Sequence, residues 1–270
     1  MGIYIATFLL TALIVPILGN LYYHLADKDG RFIAIAIIML PFSPIINLVV
    51  KKPILNYLLA SWDLPKSPKG WPLWFGLVSL LLVGITEELI KISPLISGRI
   101  RALITSRRHS FVLACLLGFG FSIGETWYLA WSIYQNDPKT AALPFYLLGG
   151  FTSERSIAVF AHTVFLIPPV LGLLRSFRHF VLGIVASVYL HALFDIPAML
   201  YKIKIVSSSV ASVLFTLDAL AILLIYGYFF SRTIDKNIGH RNSNNATIDK
   251  NIGHRNSNNA TILYERQPDK

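Results

Sequence analysis

The chain has 270 residues, 54% hydrophobic and only 14% charged, with a formal net charge of +10 and a mean hydropathy of +0.60. A soluble domain carries about 25% charged residues, and here the apolar residues come in long blocks; together these exclude a soluble globular protein and indicate an integral membrane protein. Most of the basic residues sit at the ends of the apolar blocks and in a polar C-terminal stretch, with no basic stripe interleaved with aromatics; nucleic acid is excluded as a partner, and the lipid bilayer is the expected one.

Seven hydrophobic segments predict an all-α fold, a polytopic transmembrane helical bundle with spans at about 3–23, 32–50, 71–98, 110–134, 156–175, 179–201 and 206–230. Each is near or above the roughly 20 residues a crossing helix needs. The first segment has no basic stretch before it, so it is expected to be an uncleaved span rather than a signal peptide. The single cysteine, Cys115, lies in the fourth segment and excludes an intramolecular disulfide and a thiolate metal cluster. Residues 1–230 are expected to form the bundle. Residues 231–270 form a polar tail in which Thr233 to Ala246 recurs unchanged at 247–260. A polar, Asn-rich unit present twice is expected to be disordered, so His240 and His254 are not expected to ligate a metal.

Orientation is read from the loop charges. One set of loops holds ten Lys and Arg residues (Lys28, Arg31, Arg99, Arg101, Arg107, Arg108, Arg175, Arg178, Arg232, Lys236). The other holds eight (Lys51, Lys52, Lys66, Lys69, Lys139, Arg155, Lys202, Lys204). The positive-inside rule then places the C-terminus in the cytoplasm.

Six acidic or histidine residues fall well inside the third to sixth segments: Glu87, Glu88, Glu125, His162, His191 and Asp195. An acidic side chain at a helix centre costs roughly 2.5 kcal/mol or more to insert, so such residues are retained for chemistry, ion passage or a buried partner. At about 1.5 Å per residue from each span midpoint, all six come out within roughly 7 Å of the midplane, in one layer. Glu87 and Lys91 share a helix face at i,i+4, and Glu88 reaches Lys91 at i,i+3. His191 and Asp195 are also i,i+4, a spacing suited to a shared metal or water, or to a carboxylate that fixes the imidazole tautomer. Phe121 precedes Glu125 by one turn, with Gly118, Gly120 and Gly124 thinning the helix. Arg155 lies two turns before His162. Structural alternatives stand beside each of these: a buried ion pair for Glu87 and Lys91, a packing hydrogen bond for His191 and Asp195, an interfacial histidine for His162. Glu125 has no cation near it in sequence, so its default state is a protonated acid.

The motifs Glu87-Glu88-Leu-Ile-Lys91 (EExxK), Phe121-Ser-Ile-Gly-Glu125 (FxxxE), Arg155 with His162, and His191-Ala-Leu-Phe-Asp195 succeed one another along the hydrophobic segments. In this order they resemble the PrsW family of intramembrane proteases, which is grouped with the CAAX prenyl proteases and the CPBP proteins. The resemblance covers roughly residues 70–200. It implies hydrolysis of a peptide bond in or near the transmembrane segment of a membrane-anchored protein substrate, in the cell membrane of a bacterium or archaeon, with regulatory cleavage of a tethered signalling protein as the role. The catalytic set it implies is Glu87, Glu88, Glu125, His162, His191 and Asp195, supported by Lys91 and Arg155. Glu87 or Glu88 would activate the water. His162 and His191 with Glu125 or Asp195 would bind Zn2+ or another divalent metal, or orient the water directly; metal-dependent and glutamate-only chemistry both stay open. A proton- or cation-coupled transporter is the alternative, because midplane carboxylates and histidines also serve ion relays.

Overall fold

The computed structural model describes residues 1–233; the expected tail is helical over 231–233, and the rest of it, with His240 and His254, lies outside the described residues. No strand occurs among the described residues, and seven helices are long and apolar enough to cross a membrane. They are α1 (Gly2–Leu25), α2 (Gly30–Ser61), α3 (Leu73–Ile96), α4 (Arg107–Asn136), α5 (Gly149–Leu173), α6 (Phe177–Lys202) and α7 (Ser208–Thr233). The all-α, seven-span architecture is therefore as expected. Residues 1–227 form one compact unit.

Short polar caps start the helices. Asp29, Ser106 and Ser176 accept hydrogen bonds from the backbone N–H groups of Arg31, His109 and His179, which satisfies donors that a first turn leaves open. Ser93 and Pro94 end the regular part of α3, which tightens into a single 3-10 turn over Ser93–Ile96. Many large apolar residues are exposed, such as Phe8, Leu13, Leu81, Leu182 and Leu224. Along seven hydrophobic helices these are the lipid-facing positions.

The centre of the bundle is α4, the most buried of the seven, against which α5 packs along its length. Close approach needs small residues where there is no hydrophobic drive between helices in lipid. A Cβ on Gly118 would lie 2.6 Å from the backbone of His162 and Thr163 on α5. A Cβ on Gly124 would overlap the Leu40 carbonyl of α2. α6 lies between α5 and α3, so α3, α4, α5 and α6 close a four-helix core.

Two boundaries differ from the sequence expectation by more than three residues, and both matter to the site. The second segment continues past residue 50 to Ser61, because the chain stays helical through Lys51-Lys52 by way of a π-helical turn over Ile46–Lys51. The fifth begins at Gly149 rather than 156. Lys51 and Arg155, expected in loops, therefore lie inside spanning helices with their side chains largely buried, 16% and 8% exposed.

Candidate active site

The last turns of α3 carry Glu87, Glu88 and Lys91, all at most 1% exposed. Helical geometry points the two glutamates about 100° apart, and the structure gives them different surroundings. Glu88 is saturated. Its Oε1 accepts from the Lys91 ammonium at 2.6 Å and from His191 Nδ1 at 2.6 Å, and its Oε2 accepts from the Ser187 hydroxyl at 2.6 Å. Glu87 is half engaged. Its Oε1 accepts from Lys51 Nζ at 2.5 Å, while its Oε2 has no hydrogen-bond partner and lies 3.9 Å from Lys91 Nζ and 3.7 Å from His191 Nε2.

His162 of α5 bridges the two halves of the cluster. Lys91 Nζ donates to its Nδ1 at 2.7 Å, so Nε2 carries the proton and donates to Glu125 Oε2 at 2.9 Å. Arg155 donates to the same Glu125 oxygen at 2.8 Å and to Glu154 at 2.7 Å. Glu125, without a cation near it in sequence, thus draws its counter-charge from α5. Phe121 and Phe165 close over Lys91 with ring centroids 4.7 and 5.8 Å from Nζ, and Phe165 stacks on His191 at 5.1 Å. Asp195 stands at the edge, its Oδ2 3.5 Å from His191 Nε2 and its side chain 34% exposed.

Three carboxylates of the layer each face a cation, Glu87 with Lys51, Glu88 with Lys91 and Glu125 with Arg155, while Asp195 at the edge faces His191. An uncompensated charge at this depth would be far more costly than the pair.

All six residues expected in one layer join one chain of contacts, running Glu125, His162, Lys91, Glu88, His191 and then Asp195 and Glu87. Two further residues belong to it. Ser187 precedes His191 by one turn on the same face of α6, a spacing the sequence displays. Lys51 reads as a charge ending an apolar run, and its only sequence signal is the apolar stretch that resumes at Ile54.

Three groups could hold a metal ion together: Glu87, His162 and His191 offer ligand atoms within 4.8 Å of one another, all buried. The donor chemistry is that of a catalytic zinc site with two imidazoles and one carboxylate. The fit is direct for two of them. Glu87 Oε2 is an orphaned buried oxygen, and the Nδ1–H···Glu88 bond leaves His191 Nε2 as the lone-pair nitrogen facing it. His162 joins by releasing one of its present contacts, to Lys91 or to Glu125.

No curated protein and no solved structure matches the chain. The sequence model described as "PrsW family intramembrane metalloprotease" matches residues 3–225, a stretch that takes in every helix contributing to the polar layer; the chain belongs to that family.

Proposed function

We propose that this chain is a metal-dependent endopeptidase that cuts a membrane-anchored protein in or near its transmembrane segment, with Glu87, His162 and His191 as the metal-holding residues. The observation that carries the reading is the convergence of these three groups in a buried layer together with the partnerless oxygen of Glu87. A bound Zn2+-like ion would lower the pKa of its water and polarise the scissile carbonyl.

The protein's own residues do the rest. Glu88 fixes the tautomer and orientation of His191 through Nδ1, with Ser187 holding the other carboxylate oxygen. Lys91 neutralises Glu88 and keeps a positive charge beneath the site, where it favours a carbonyl oxygen gaining negative charge. Asp195, the least buried of the six, accepts the proton of the attacking water and returns it to the leaving amine. Arg155 supplies the counter-charge of Glu125, and Glu125 in turn orients His162. Asp195 is the least buried of the six, while Phe121 and Phe165 cover Lys91. Regulatory cleavage of a tethered signalling protein, in the membrane of a bacterium or archaeon, is the role proposed. Of the eight charges counted opposite the C-terminus, two (Lys51 and Arg155) prove to be internal. Ten against six then favours a cytoplasmic C-terminus.

The test uses protein purified in detergent without chelator and assayed for zinc by elemental analysis, alongside cleavage of a tagged single-span reporter in native membranes. Wild type is expected to hold about one metal per chain, as a catalytic zinc site with three protein ligands does. Glu87→Gln and His191→Ala are expected to lose both metal and cleavage. Cleavage that persists in chelator by metal-free protein would overturn the reading.

A further inference from the structure

Lys51 stands outside the motifs that carry the family resemblance, and its placement requires a local departure from α-helical geometry. The π-helical turn Ile46–Lys51 adds one residue to a helical turn and so rotates the remainder of α2 by about 100° relative to an uninterrupted helix. Pro53 lies just beyond it, where a missing N–H would break the α-helical ladder in any case. The result is a lysine whose ammonium lies 2.5 Å from Glu87 Oε1. Single-turn π segments within helices occur frequently at functional sites, and this one delivers the only cation that α2 contributes to the layer among the described residues.

Glu87 has two carboxylate oxygens and one short contact. Without Lys51 the carboxylate would be free to rotate toward Lys91, which lies 3.9 Å away and already serves Glu88 and His162. With Lys51 in place Oε1 is occupied, and Oε2 is held toward His191 Nε2. We propose that Lys51 is a positioning residue for the metal-holding carboxylate: by engaging one oxygen of Glu87 it fixes the group as a one-oxygen ligand and presents Oε2 to the ion. The proposal rests on the metal-dependent reading above. It adds a fifth helix to the four whose motifs the sequence displays, and assigns the π turn a role in metal affinity.

The experiment uses full-length protein in detergent, stripped of metal and reloaded with Zn2+ or Co2+. Wild type, Lys51→Met, Lys51→Arg, Glu87→Gln and the Lys51→Met/Glu87→Gln double variant are compared. Zn2+ affinity is read by competition with a chromophoric chelator, and the ligand field by the visible absorption of bound Co2+. Loss of an orienting partner of a ligand typically weakens metal binding about 10–100-fold. Lys51→Met is expected to show a loss of that order with an altered Co2+ band, and Lys51→Arg to recover most of both. Glu87→Gln, alone or with Lys51→Met, is the ligand-loss control and is expected to hold no Zn2+ in either case. A lysine that only stabilised the fold would leave the Co2+ band of the folded fraction unchanged. Should Lys51→Met bind Zn2+ as tightly as wild type with the same Co2+ band, this inference alone falls. Should wild type bind neither metal, the metal-dependent function falls first and this inference with it.

Discussion

Glu88 and Glu87 differ enough in surroundings that their glutamine variants should separate in stability. Glu88 makes three short hydrogen bonds, to Lys91, His191 and Ser187, and is fully buried. Hydrogen bonds to charged groups contribute about 1.5–3 kcal/mol each, and breaking a buried pair by removing one partner costs about 3–5 kcal/mol. The bonds share their partners, so the lower combined figure governs, and Glu88→Gln is expected to lose about 3–5 kcal/mol. For a chain of this size that is on the order of 10 °C in melting temperature. Glu87→Gln keeps a carbonyl oxygen for Lys51, whose side chain is itself 16% exposed, and should lose about half as much or less. The assay is thermal unfolding in detergent, monitored by helical circular dichroism at a fixed scan rate, for both single variants, Lys91→Met and the Glu88→Gln/Lys91→Met double. The double should recover about 2 kcal/mol against the sum of the singles, because no lone charge is left buried. Equal melting shifts for Glu87→Gln and Glu88→Gln, or strict additivity in the double, would refute the division of labour between the two carboxylates.

The packing and the caps make two further outcomes testable. Gly118→Ala places a methyl 2.6 Å from the His162 and Thr163 backbone, so it should cost about 1–3 kcal/mol as overpacking and weaken Zn2+ binding by displacing His162; melting and metal titration of the same sample check both. Asp29, between α1 and α2, is held below the ordinary carboxylate range by its bonds to the Arg31 side chain and backbone N–H. Its stabilising effect is present above its unfolded pKa of about 3.9 and lost as pH falls through the lower folded value, so Asp29→Ala should melt below wild type at neutral pH and match it in strong acid.

The motifs were legible because a carboxylate or imidazole in an apolar span stands out on composition alone, and because i,i+3 and i,i+4 spacings fix which neighbours share a face. Glu88 with Lys91 and Ser187 with His191 are of this kind. What sequence could not separate was Glu87 from Glu88, since both reach Lys91 along α3. The decision comes from α6, through His191 and Ser187, and from α2, through Lys51. The counter-ion of Glu125 sits 30 residues away on another helix, beyond any local rule. Lys51 was hidden for a different reason. A lysine pair followed by proline has the appearance of a span terminus, and only a π turn lets the helix run on through it.

The charge pairs also bear on how the bundle enters the membrane. Lys51 and Glu87 belong to α2 and α3, consecutive in the chain, and Lys91 with Glu88 to α3 itself. Glu125 and Arg155 belong to α4 and α5, the next consecutive two. In each antiparallel pair of helices the paired charges therefore meet before a later helix is made, while α6 brings the imidazole and hydroxyl last, with Asp195 at the edge of the layer. Insertion in such two-helix units avoids leaving a lone acid or base in lipid, where each would cost about 2.5–3.5 kcal/mol. The order of the charges along the chain thus serves assembly as well as the finished site.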